Sequence, residues 1–258
     1  MPFFRYLGLI NLQARMALRA DASRYYFGYA WWLLEPLLFV GVFYLVFDLV
    51  LGSSRADFLV FLMCGKLAFI WFSKTVTQAS NSIVANQGMV GKIDVSKTLF
   101  PMAVVQEGLY RQAAVFLLLF AVLLARGYPV TGTWLWLLPL LMVNYLMIVA
   151  CSLIGACLVC VVRDFRMIIS LAMTFLLFTS GVFWDVRELG DPARTQLILT
   201  LNPLAFVLDA YRQILMFHTP PDTTLLLGIA LVSAVVIVVT VKMMRKASQY
   251  LALKVLTA

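Results

Sequence analysis

Charge is scarce in this chain. Lys, Arg, Asp and Glu make up 12% of its 258 residues, against 63% hydrophobic, and the mean hydropathy is +0.96. A soluble domain of this size could not cover such a core with so few polar residues. His218 is the only histidine, and no His/Cys/carboxylate set has metal-ligand spacing, so no metal is expected. The four cysteines, Cys64, Cys151, Cys157 and Cys160, all fall inside apolar runs. Cys157-x-x-Cys160 has redox spacing but no base nearby, and reads as small apolar packing residues. No Gly-x-x-x-x-Gly-Lys-[Ser/Thr] phosphate loop is present; Gly88 to Lys92 has the wrong spacing and Ile93 follows. No Ser nucleophile elbow and no paired-Asp phosphotransferase motif appear either. An enzyme is therefore not expected. Arg5, Arg15 and Arg19 would interrupt the apolar core of a signal peptide, so none is expected. There is no fixed-period repeat and no low-complexity linker. The chain reads as one membrane domain, 1–258.

What the chain has in quantity is apolar runs. Six are long enough to be read as spans: Ala30–Leu51, Phe58–Thr77, Met102–Ala125, Trp134–Val162, Met167–Trp184 and Leu225–Val241. A crossing helix needs roughly 20 apolar residues, and helices satisfy their own backbone groups in lipid. The expected fold is all-α: six transmembrane helices, an N-terminal amphipathic interface helix and a re-entrant helical loop. Lys and Arg fall in alternate gaps. Arg5, Arg15, Arg19, Arg24, Lys92, Lys97, Arg163, Arg166, Lys242, Arg245, Lys246 and Lys254 lie on one side. Arg55, Arg126, Arg187, Arg194 and Arg212 lie on the other. The richer side is expected to be cytoplasmic, with both termini in it. The net charge of +8 then needs only anionic head groups, not nucleic acid.

Three segments outside the runs have their own character. In 1–24, Phe3, Leu7, Ile10, Ala14 and Leu18 follow helical spacing, with Arg15 and Arg19 toward other faces. This reads as a basic amphipathic helix in the membrane interface, or as a tail that only sets topology. In 78–101, a polar start is followed by Asn86-Gln87-Gly88, and Gly88 and Gly91 favour a break. In 185–222, Asn202-Pro203 reads as a helix start, with Asn as the cap and Pro first in the helix. From there Asp209, Arg212 and Gln213 share one face, and Leu204, Leu208, Tyr211 and Leu215 another. That helix is expected to dip into the membrane or pack on the spans, ending before Pro220-Pro221.

Ionisable residues inside spans are functional candidates. Glu107 and Arg111 are four apart and can pair on one helix face, as a structural pair or as part of a relay. Lys66 and Lys74 face a wet cavity or snorkel. Glu35, directly before Pro36, is expected to accept hydrogen bonds from a partner segment or to face the cytoplasmic mouth. Tyr25, Trp32, Phe39 and Phe43 lie within a narrow arc of the first span, flanked by Tyr29 and Phe47. This stripe is a packing or lipid surface, or a stacking surface for sugar rings. Periodicity does not choose between them.

Several pieces taken together resemble the membrane subunit of an ABC-2 type polysaccharide exporter, the family that exports capsular polysaccharide, O-antigen and teichoic acid. They are Arg24 with Gly28-Tyr29-Ala30-Trp31 and Glu35-Pro36; Ala85-Asn86-Gln87-Gly88 with Phe100-Pro101; Arg163-Asp164; and Leu201-Asn202-Pro203 with Arg212. Their order and placement cover nearly the whole chain. Glu35-Pro36 and Ala85-Asn86-Gln87-Gly88 look most like the capsule branch.

The resemblance implies a homodimer in the bacterial inner membrane, with two copies of a separate ABC ATPase that carry the ATP and Mg. The substrate it implies is a lipid-linked polysaccharide in a channel at the dimer interface. The capsule branch would add a periplasmic export partner. Arg15, Arg19, Arg24 and Glu35 would belong to the interface helix and entrance; Asn86, Gln87, Gly88, Lys92, Arg163 and Asp164 would couple to the ATPase. Asn202, Pro203, Asp209 and Arg212 would form a periplasmic gate, and Tyr25, Tyr29, Trp32, Phe39 and Phe43 the glycan channel. The competing readings are an ABC-2 permease for a drug or another lipid, a secondary transporter or channel without an ATPase, and a membrane enzyme.

Overall fold

The computed structural model describes residues 3–24, 26–46, 57–90 and 96–257, and all regular structure among them is helical. Helix α1 spans Phe3–Arg24 and α2 spans Trp31–Tyr44; α3 is Phe58–Ser80. Two single-turn helices follow, α4 (Ser82–Ala85) and α5 (Gln87–Val90), then α6 (Leu99–Ala125) and α7 (Leu137–Val161). The remainder is α8 (Phe165–Thr179), α9 (Pro192–Leu201), α10 (Pro203–Leu215), α11 (Thr223–Lys246) and α12 (Ser248–Thr257).

Four stretches are long and apolar enough to cross a membrane: Phe58–Ser80, Leu99–Ala125, Gly132–Val161 and Thr223–Lys246. They match four of the six expected runs. The other two are shorter. Described α2 has 14 residues with Pro36 inside; the rest of that run, from residue 47, lies outside the described residues. Helix α8 ends at Thr179, five residues before the expected Trp184. Its 15 residues rise about 22 Å, short of the roughly 30 Å hydrocarbon core. The stop has a tertiary reason: Gly181 has φ +70, which turns the chain, and the Gly181 and Val182 carbonyls accept from Arg212 of another helix.

Helix α3 is the centre of the bundle, packing against α2, α6, α7, α8 and α10. Its apolar residues are buried around most of its circumference, from Phe58 to Val76. Burial on every side rather than along one stripe marks a core helix. Other helices carry the exposed apolar surface. Helix α11 exposes Leu227, Leu231, Val235 and Val238, and α8 buries none of its residues.

Helix α1 packs on α6 through Ile10, Ala14, Leu18 and Ala22, spaced four apart. Leu7, expected on the same face, is instead 40% exposed, since the contact stripe drifts along the helix. Arg15 and Arg19 are exposed. The Tyr6 hydroxyl and Thr98 Oγ1 are 2.9 Å apart, and burial pushes the Tyr6 phenol above its ordinary pKa. Helix α12 packs on α5 and α7, with the Cys160 thiol donating to the Leu251 carbonyl. Both terminal helices therefore sit at the bundle end where α3 finishes and α6 starts, the end expected to face the cytoplasm.

Helix α10 lies at the other end. Asn202 caps it, its Oδ1 accepting from Ala205 N at 3.2 Å, and Pro203 occupies the first turn. Every residue from Leu204 to Leu215 is buried, against α3, α7 and α9. Its expected apolar face is there, and its polar face is buried as well.

Candidate functional site

Among the described residues, the candidate residues fall into three sets, two inside the bundle and one on its surface. The first joins α1, α2, α3 and α6 in the half nearer the terminal helices. Glu35 follows the start of α2 by one turn, and Lys74 Nζ is 2.6 Å from its Oε2. Arg111 Nη2 pairs with Glu107 one turn back on α6 and lies 2.9 Å from Asp21 Oδ2 of α1. Trp32 Nε1 donates to the same Asp21 oxygen at 3.2 Å, and the Arg111 guanidinium stands 5.3 Å from the Trp32 ring centroid. Beside this network opens a small cleft lined by Trp32, Glu35, Phe39, Trp71, Lys74 and Arg111 among others.

The Glu107–Arg111 contact follows directly from helix spacing. Asp21 was not singled out in the sequence, although it is the only acidic residue of α1. That alone was the available signal. Glu35 has the partner segment expected of it, and the partner is Lys74.

The aromatic stripe of α2 is only partly within view. Tyr25 lies outside the described residues, as does the side chain of Phe43. Trp32 is turned toward α1 and α6, while Tyr29 and Phe39 are 54% and 48% exposed. Tyr29 meets Trp32 edge to face, with centroids 4.8 Å apart. The arc is thus divided between a ring committed to the ionic network and rings on the open surface.

The second set is at the terminal-helix end. Asn86 Nδ2 donates to Ser82 O at 2.7 Å, finishing α4. Gln87 and Gly88, at the start of α5, are exposed. Arg163 and Asp164 form the exposed turn between α7 and α8. Lys92 and the side chain of Arg24 lie outside the described residues.

The third set surrounds α10. Asp209 is 2% exposed and accepts three hydrogen bonds from Arg187, two from Nε at 3.1 Å and one from Nη2 at 2.9 Å. Gln213 Nε2 donates to it as well, at 2.5 Å. The hydrogen-bonded Asp209 carboxylate holds the Arg187 guanidinium further into its charged range. Arg212 points elsewhere. It donates to the carbonyls of Phe61, Gly181 and Val182 at 3.3, 2.7 and 3.0 Å and covers the Phe61 ring at 3.5 Å. Asn202, besides capping α10, donates to Ser180 Oγ at 3.0 Å. The cluster therefore binds the α8–α9 connection to α3 and α10.

Among the described residues no group of three His, Cys, Asp or Glu could hold a metal. Cys64, Cys151, Cys157 and Cys160 are free thiols, and Cys64, Cys157 and Cys160 are buried.

A family described as ABC-2 type transporter matches residues 15–216. The O-antigen export system permease protein RfbA of Myxococcus xanthus is 27% identical over 238 residues, which is 91% of this chain and 90% of that protein. A Klebsiella pneumoniae protein of the same name is 26% identical over 192 residues, 74% of this chain and 73% of its own length. The polysialic acid transport protein KpsM of Escherichia coli is 24% identical over 206 residues, 77% of this chain and 78% of that protein.

Proposed function

The chain belongs to the ABC-2 type transporter membrane family, a multi-pass inner-membrane transporter component, and from that premise we propose that it is the permease subunit of an ATP-driven polysaccharide exporter. The substrate class is a lipid-linked cell-surface glycan. The observation that carries this is the alignment along 91% of the chain with a protein named for O-antigen export. One relative is named for polysialic acid transport, so the reading covers O-antigen and capsule alike. A drug or another lipid is the alternative cargo.

The finer parts of the reading are these. The α2 run and the α8 run, the latter completed by the residues that follow α8 up to Trp184, add two crossings to the four long ones, giving six. Both termini are cytoplasmic, and α9 and α10 form a re-entrant region at the outer surface, with Asn202, Pro203, Asp209 and Arg212 as its gate. Two copies of the chain assemble with two ATPase subunits. The apolar surface of α8, which buries none of its own residues, is left for lipid or for that second copy. The exposed Gln87, Gly88, Arg163 and Asp164 supply surface for the ATPase. Tyr29 and Phe39 offer ring faces for passing sugars.

Deletion of the gene, with complementation, tests the function. Glycan retained in the cytoplasm on its lipid carrier is the expected phenotype. Normal surface glycan with altered drug or lipid efflux would replace this reading with the alternative cargo. Co-purification with an ATPase encoded nearby tests the assembly.

A further inference from the structure

Lys66 is 5% exposed and lies in the middle of α3, where a charge is costly. Among the described residues, its ammonium stands near three rings. Nζ is 5.8 Å from the centroid of Phe39, 5.6 Å from Phe69 and 5.7 Å from Phe183. All three fall within the roughly 6 Å over which a cation is attracted to a ring face.

The rings differ in how they are held. Phe69 is on α3 itself and 4% exposed. Phe183 follows Gly181 and Val182, whose carbonyls accept from Arg212, so its backbone is pinned. Phe39 is on α2 and 48% exposed. Phe69 is thus held by burial and Phe183 follows a pinned stretch of backbone, whereas Phe39 sits on an open helix face where a side chain ordinarily hops between rotamers. A methionine would fill the lysine's volume without burying an ammonium. Toward the rings, the ammonium adds a directional hold on their faces that a methionine would lack.

We infer that Lys66 is a positioning residue that fixes the Phe39 ring, presenting it in one orientation to the glycan. This rests on the reading of Phe39 as part of the glycan path. A ring already held in place loses less freedom on stacking against a sugar. Lys66 would act through Phe39 and need not touch the substrate.

The test reads the ring directly. 4-Fluorophenylalanine is placed at position 39 of the full chain, and its ¹⁹F spectrum is recorded in nanodiscs for the parent, Lys66→Met, Lys66→Arg and Phe183→Leu. The resonance is expected to move toward the free amino acid in Lys66→Met and to return in Lys66→Arg, which restores a cation over the rings. Phe183→Leu, which leaves the lysine in place, is expected to move it the same way. Export in cells is followed in parallel. Lys66→Met is expected to slow it about threefold to tenfold, the range a cation–ring contact supports. The Lys66→Met/Phe39→Leu double variant should be no slower than Phe39→Leu alone. An unmoved resonance in Lys66→Met and Phe183→Leu, or an additive loss of export, overturns the positioning role. A moved resonance together with full export by Phe39→Leu upholds the positioning of the ring and overturns the glycan path instead.

Discussion

Gly65 and Arg212 occupy one space: a Cβ on Gly65 would stand 2.3 Å from Arg212 Nη2. Helix α3 lacks a side chain at the position where α10 inserts a guanidinium. Gly65→Ala should displace a cation that is 1% exposed and tied to three carbonyls. The expected cost is about 1–3 kcal/mol, typical of overpacking, seen as a lower melting temperature in detergent. An unchanged melt would mean that the guanidinium shifts freely.

Arg212→Met removes the donors to Phe61, Gly181 and Val182. Buried carbonyls left without a partner should cost about 2–3 kcal/mol. Arg212→Lys should not recover this, because a single ammonium cannot reproduce the planar fork of a guanidinium. Limited proteolysis after Thr179 is the measurement. Equal protection in the lysine variant would count against the geometric argument.

Arg111 is shared by Asp21 and Glu107. Arg111→Gln leaves two carboxylates side by side and should loosen α1 more than Asp21→Asn does. The groups are 13–26% exposed, so the single Asp21→Asn change is expected to cost only about 0.5–1 kcal/mol. Hydrogen exchange along 3–24 reads the difference. Slower exchange in Arg111→Gln than in Asp21→Asn would reverse the assignment.

The exposed segments 86–88 and 163–164 are proposed to meet the ATPase. Gly88→Trp combined with Arg163→Glu should lower transport-coupled ATP hydrolysis at least about tenfold, comparable to losing a buried anchor and a charge at an interface. Membrane insertion should be unaffected. Normal coupling after both changes would exclude these segments.

Cysteine probes address sidedness. In a cysteine-free background, Gln87→Cys should react with an impermeant reagent only after the membrane is opened, and Arg194→Cys in intact spheroplasts. The motivation is the basic-residue asymmetry. Labelling in the opposite pattern would invert the topology.

Much of this molecule could be read from local signals. The long apolar runs gave α3, α6, α7 and α11, since length and hydropathy need no knowledge of neighbours. Asn202-Pro203 marked the start of α10 because a cap acts within a few residues. Glu107 and Arg111 meet because a helix places residues four apart on one face. The α1 face of Ile10, Ala14 and Leu18 was legible for the same reason.

The contacts that give each cluster its form were not legible. Arg111 meets Asp21 from another helix, Lys74 finds Glu35 across 39 residues of sequence, and Arg212 reaches Phe61 across 151. Helix α8 stops at Thr179 and not at Trp184, because the turn at Gly181 offers its carbonyls to α10. Which way Trp32 and Phe39 point was likewise open, since periodicity gives an arc and not a neighbour. The class of protein, its long helices and the asymmetry of its basic residues were legible without coordinates, because composition, period and charge act locally or through the bilayer. Which buried ions pair, and that Phe39, Phe69 and Phe183 approach Lys66, emerged from the folded chain alone, because those choices depend on distances between helices that no local pattern encodes.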